Sequence, residues 1–126
     1  MTTADDEFAR EYARLSAAFV AQLPQQVQIL NDDLIAWLSA SRETTLFDRL
    51  SHKLHQLRGS GSTFGCNGVS EAARVLEQRL AALRADAAAE PVSELDEVEA
   101  AMLELRGEAN RIYRKSLQGG QPGTHT

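Results

Sequence analysis

The chain has 126 residues, 43% hydrophobic and 25% charged, which predicts one domain with a buried core. Its net charge of −5 argues against a nucleic-acid binder, which needs a basic face. Cys66 is the only cysteine, so no internal disulfide can form and a reducing compartment is the simplest setting. No apolar run approaches the roughly 18 residues that span a membrane. The opening MTTADDEFAR lacks the positive-then-apolar order of a secretion signal, so the expected location is the cytoplasm.

A first helical pattern occupies residues 4–22, where Phe8, Tyr12, Leu15 and Phe19 repeat at steps of four and three. Thr3 can cap it, and Asp5, Asp6 and Glu7 suit the positive end of its dipole. Pro24 is expected to break the helix or start a new one. The second helix, 24–40, carries Val27, Leu30, Leu34 and Leu38 on its apolar face with Trp37 at the edge. Ile29 and Ile35 lie off that face, where exposed apolar side chains can belong to a docking surface.

Residues 41–44 connect to a third helix over about 45–65, which Thr44 or Thr45 can cap. Cys66-Asn67-Gly68 is expected to end it, because Asn and Gly tolerate the left-handed conformation of a helix exit. The fourth helix spans about 69–88, with Val69, Ala72, Ala73, Leu76, Leu80 and Leu83 on one face, and Pro91 stops it. Ser93 opens the fifth, with Asp96 in the capping-box position, and Leu95, Val98, Met102, Leu105, Ala109 and Ile112 carry the stripe to about 116. The remainder, 117–126, is Gly-rich and aperiodic and reads as a disordered tail. No segment alternates like a strand. The fold class is therefore all-α: an antiparallel up-down four-helix bundle over 1–116, with an additional N-terminal helix across one end.

The third helix holds the chemistry. Phe47, Leu50, Leu54, Leu57, Gly61 and Phe64 define its buried face. His55 falls roughly 130° from the centre of that stripe, so its ring is expected in water. Arg58 at i+3 and Gly59 at i+4 lie beside it. A neutral imidazole is a nucleophile near neutral pH, since its unperturbed pKa is about 6.5. A phosphoryl group placed on it could be met by the directed donors of Arg58. A glycine inside a helix costs about 1 kcal/mol relative to alanine, and at Gly59 it leaves room for close approach by another molecule.

His55-Gln56-Leu57-Arg58-Gly59 followed by Gly65 resembles the signature of histidine phosphotransfer domains, His-x-Leu-Lys-Gly with a later glycine. Ser62-Thr63-Phe64-Gly65 resembles the chemotaxis-kinase branch in particular, and Val69 to Glu77 is similar to the next helix of the family. The family's usual lysine is Arg58 here, so a planar fork replaces a compact ammonium. The resemblance implies a cytoplasmic, monomeric phosphocarrier in a two-component phosphorelay, rather than a stand-alone enzyme. In it His55 is the phosphoacceptor, Arg58 stabilises phosphate and Gly59 gives access. Partners would be response-regulator receiver domains, a hybrid sensor histidine kinase, or both, docking over Ile29, Ile35 and Ser62. No cofactor is expected on this chain; the Mg²⁺ of phosphoryl transfer would sit on the receiver.

Two other readings are available. The same bundle could bind and regulate a receiver or kinase without carrying phosphate. Alternatively, Asp48, His52 and His55 share a helix face at a spacing that can hold zinc or copper, although they supply three ligands and no evident fourth. The glycines at 59, 61 and 65 are not a nucleotide loop, having neither a preceding strand nor a following Lys-Ser/Thr. Cys66 reads as a small buried apolar residue. Glu71, Arg74, Glu77 and Arg79 read as a solvated helix face.

Overall fold

A computed structural model describes residues 3–39, 44–85 and 92–119. They form four helices: α1 (Thr3–Ser39), α2 (Thr44–Thr63), α3 (Asn67–Ala85) and α4 (Val92–Gly119). No strand occurs among the described residues. The four make a helical bundle in which α1 and α3 each pack against both α2 and α4.

The additional N-terminal helix does not exist as a separate element. Residues 3–39 are one continuous helix with Pro24 inside it. A proline in a helix interior costs about 3 kcal/mol, but here burial runs unbroken through it. Val20, Leu23, Val27, Leu30, Leu34 and Trp37 are all buried, on both sides of Pro24 and on one face. Several apolar side chains, each contributing about 1.5–3 kcal/mol when fully buried, outweigh one lost hydrogen bond and its clash. Trp37, expected at the edge of the stripe, is fully enclosed, while Leu38 is only partly buried against the core. The Trp37 ring packs on Phe47 of α2 at 5.2 Å, and Arg84 of α3 lies over the same Phe47 ring at 4.4 Å.

The other three stripes form the core as the spacing predicts, except that Phe64, expected on the buried face of the third helix, is only half-buried and lies in the turn beyond α2. Phe47, Leu50, Leu54, Leu57 and Gly61 are buried from α2, and Val69, Ala72, Ala73, Leu76, Leu80 and Leu83 from α3. Val98, Ala101, Met102, Leu105 and Ala109 come from α4, with Leu95 and Ile112 packed at its margins. α4 starts at Val92, which puts Ser93 inside the helix rather than at its cap, and it continues to Gly119, beyond the expected end near 116. The rest of the expected tail, residues 41–43 of the first connection, and Pro91 lie outside the described residues.

The turn between α2 and α3 differs from expectation in a specific way. The left-handed residue is Gly65, at φ 74°, and Asn67 and Gly68 belong to α3. The Cys66 amide donates to the Gly61 carbonyl at 2.7 Å and the Gly65 amide to the Ser62 carbonyl at 3.3 Å. These are the two bonds of a Schellman cap, which satisfies carbonyls the helix end leaves open. The Ser70 amide donates to the Cys66 carbonyl at 3.0 Å and opens α3 at once. Cys66 is thus buried at the corner, and burial pushes its thiol pKa up, as fits a structural rather than a reactive cysteine.

Gly61 and Gly65 make separable demands. A methyl group at Gly65 meets nothing within 4 Å, so Gly65→Ala carries only backbone strain, about 1–2 kcal/mol. At Gly61 a Cβ would come within 3.2 Å of the Ser70 amide nitrogen and 3.3 Å of the Cys66 carbonyl oxygen. Gly61→Ala should therefore cost about 1–3 kcal/mol by forcing two backbones apart. Urea denaturation of the two variants and the parent measures both losses.

Candidate functional site

His55 stands on the outer face of α2, with its side chain 73% exposed. The stripe of Leu50, Leu54, Leu57 and Gly61 faces inward, and that fixes the ring outward. Next to it lies a shallow groove of about 750 Å³ between α1 and α2. Its α1 wall is Phe19, Gln22, Gln26 and Ile29, and its α2 wall includes His55, Gln56, Gly59 and Thr63. The lining mixes polar side chains with the apolar Phe19, Ile29, Leu30 and Leu57. Gly59 opens onto free space: a Cβ built there meets nothing within 4 Å.

On its other side His55 faces α3. The His55 Nδ1 atom lies 4.0 Å from Glu77 Oε2, and Arg58 Nη1 donates to Glu77 Oε1 at 3.0 Å. Glu77 is not a solvated surface charge; its side chain is only 21% exposed. It is the residue that sequence reasoning missed. The available signal was its position seven residues after Ser70, which puts both on the α3 face that meets α2. The Ser70 hydroxyl donates to the Arg58 carbonyl at 2.9 Å. Helix side chains lean toward the N-terminus and carbonyls point toward the C-terminus. Arg58 is therefore gripped at both ends by one face of α3.

The other residues singled out from the sequence are distributed as follows. Ile29 reaches the groove and is half-buried. Ile35 is exposed, and neither it nor Ser62 is among the residues lining the groove. Asp48 and His52 are exposed, and among the described residues no three His, Cys, Asp or Glu side chains could hold a metal ion together. Lys53, also at the groove, is paired with Asp33 of α1 at 2.7 Å.

Chemically, the arrangement offers one accessible imidazole whose Nδ1 edge is turned to a carboxylate. Its Nε2 edge, on the opposite side of the ring, is turned away from Glu77. A carboxylate near Nδ1 favours the tautomer with the proton there and leaves a lone pair on Nε2.

The Arg58–Glu77 pair is partly shielded, with the arginine side chain 38% exposed, so its contribution is that of a good surface ion pair. A double-mutant cycle with Arg58→Ala and Glu77→Ala should give a coupling of about 0.5–1 kcal/mol in urea denaturation, falling in high salt. Gly59→Ala, at an open helical position, should raise stability by about 0.5–1 kcal/mol.

No curated protein and no solved structure matches this chain. The model of one protein family does match it, that of the Hpt domain, over residues 14–108. This span covers most of the chain and includes the whole of α2 and α3, His55 and Glu77 among them. The chain belongs to the Hpt domain family, the histidine phosphotransfer modules of phosphorelay signal transduction.

Proposed function

We propose that this chain relays a phosphoryl group between aspartates of receiver domains, with His55 as the carrier. The observation that carries the reading is the exposure of the His55 ring above an open groove, with Glu77 on its Nδ1 side. The Nε2 lone pair attacks the phosphorus of an aspartyl phosphate. A P–N bond forms, the acyl P–O bond breaks, and the aspartate leaves as a carboxylate. The ring then carries positive charge beside Glu77, and the reverse step passes the group to a second receiver. Phosphoryl transfer needs in-line positioning and charge stabilisation more than covalent help. The Mg²⁺ and the acidic pocket would come with the receiver.

Arg58 takes the place of the family's usual lysine. To meet a phosphoryl group it must share its guanidinium with Glu77, and five donors in a planar fork allow that. Gly59 keeps the approach to His55 open, and Ile29 supplies an apolar rim. The partner-facing helices α1 and α2 run antiparallel in this reading. The support is the pairing of Tyr12 with Thr63, Asp33 with Lys53 and Trp37 with Phe47, which rises along one helix as it falls along the other. Monomeric action in the cytoplasm fits this role, and no helix among the described residues is long and apolar enough to cross a membrane.

One observation favours a second reading, a module that docks a receiver or kinase without carrying phosphate: Arg58 is already engaged by Glu77 at 3.0 Å. A single experiment separates the two. Incubated with a phosphorylated receiver domain, the wild-type chain should acquire label that is lost in acid and kept in alkali, and His55→Gln should acquire none. Receiver binding without label on the wild type would establish the docking module instead.

A further inference from the structure

Beyond the α2–α3 turn the bundle continues with two helices in place of four. Tyr12 of α1 meets this turn, its hydroxyl donating to the Thr63 carbonyl at 2.8 Å. Gly68, at the start of α3, abuts α4 at the same level: a Cβ on it would lie 3.5 Å from the Arg111 guanidinium. Deeper in the bundle α1 reaches α2 at Asp33–Lys53, and α4 reaches α3 at Arg79–Glu97. Residues 3–11 of α1 and 112–119 of α4 therefore run on past the turn, by about 13 Å and 12 Å. They form two stumps of similar length.

The stumps and their bases carry apolar surface that this chain does not cover. Phe8 is 62% exposed, Leu15 42% and Tyr12 40% on α1, and Leu117 is 49% exposed on α4. The α1 side chains form an ordered row, with Phe8 stacked on Tyr12 at 6.4 Å and both Tyr12 and Phe19 against Phe64. The core row of the same helix, Val20, Leu23, Val27 and Leu30, is offset from it by one residue, about 100° around the helix. Thus α1 has two adjacent faces, one turned to the core and one left open. The charges of the stumps are opposite. Asp5, Asp6, Glu7 and Glu11 crowd the start of α1, while Arg111, Arg114 and Lys115 stand without an acid over residues 111–119.

Area alone does not name the occupant. The four apolar side chains expose roughly 400 Å². Each side of a standard homodimer interface buries about 800 Å², of which about 500 Å² is apolar, and a receiver would find the same 400 or so. Position and charge decide. Both α2 and α4 pack on α1 and on α3, so they stand at opposite corners of the bundle. A body seated on His55 of α2 cannot also cover the stump of α4. A second copy turned end for end covers both stumps, because it brings an acidic and a basic stump of its own. At full overlap Glu7 of one copy stands at about the height of Arg114 and Lys115 of the other.

We propose that two copies of this chain associate end to end, their α1 and α4 stumps completing an intermolecular four-helix bundle around Phe8, Tyr12, Leu15 and Leu117. The acidic start of α1 pairs with the basic end of α4 in the other copy, and two-fold symmetry makes each contact twice. This revises the expectation of a monomer. His55 lies about 12 Å from Thr63 along α2, on the opposite side of the turn from the stumps. Each copy therefore keeps its own His55 open, and transfer remains the work of a single chain. The proposal does not rest on the relay reading, and either can fail alone.

Sedimentation equilibrium of the full chain is the test. The wild type should show a monomer–dimer equilibrium with a dissociation constant of about 1–100 μM. Phe8→Ala/Leu15→Ala should raise that constant about tenfold or more, whereas Leu103→Ala, at an equally exposed leucine of α4 below the turn, should leave it unchanged. Glu7→Lys/Glu11→Lys and Arg114→Glu/Lys115→Glu should each be monomeric where the wild type is dimeric. Mixed in equal amounts, these two charge variants should dimerise again, since each then supplies the charge the other has lost. Pairing within one chain would not be restored by mixing. A wild type that stays monomeric at all concentrations overturns the proposal, as does a dimer that Phe8→Ala/Leu15→Ala leaves intact or a mixture that stays monomeric. A monomeric wild type whose capture of a receiver is weakened by Phe8→Ala/Leu15→Ala overturns it as well, because the occupant of the row is then the receiver.

Discussion

The site depends on how closely α2 and α3 approach each other at Gly61. There the absent side chain lets one helix lie against the backbone of the next at Ser70 and Cys66. That contact sits one turn beyond Arg58, whose carbonyl receives the Ser70 hydroxyl. Because Glu77 lies two turns along α3 from Ser70, the same spacing delivers its carboxylate to the Arg58 guanidinium and to the Nδ1 side of His55. A larger residue at 61 would move all three together. The Schellman cap at Gly65 has a related role: it turns the chain within three residues, so that α3 starts directly against the helix it has just left.

α1 solves a different problem. A helix of 37 residues beside partners of 20 and 28 is not covered along its whole length. Its C-terminal half buries one face, ending at the fully enclosed Trp37. Its N-terminal half runs on past the α2–α3 turn and anchors it, through Tyr12 at Thr63 and the ring contacts at Phe64. The wall of the groove beside His55 and the exposed row of aromatics are thus parts of one continuous surface. Charge plays little part in the groove. Its wall is glutamine and isoleucine, and Lys53 is neutralised by Asp33.

Membership of the Hpt family and the placement of His55 agree without depending on each other. The family match spans the chain from within α1 to within α4. The exposure of the ring follows from the helical period alone. At the place of the family's usual lysine stands Arg58, paired to Glu77. A lysine at this place would offer a point charge able to leave its carboxylate freely. An arginine fork can hold the carboxylate with one edge and leave other donors free, and here it links α2 to α3 through Glu77.

The sequence by itself determined the all-helical class, the stripes of α2, α3 and α4, the outward direction of His55 and the room beside Gly59. Each follows from a local period of 3.6 residues or from the chemistry of a single residue. It misjudged Pro24, because the cost of an interior proline is local whereas the burial of Val20, Leu23 and Val27 that outweighs it comes from other helices. Trp37 was misplaced for the same reason: whether a large ring at the margin of a stripe is covered depends on Phe47 arriving from α2. Only the tertiary structure decided that Glu77 belongs to the site, since a carboxylate on α3 gains its meaning from Arg58 and His55 across a gap set by Gly61. Only it separated the two faces of α1, because periodicity marks a row as apolar and the neighbouring helices determine whether that row is covered.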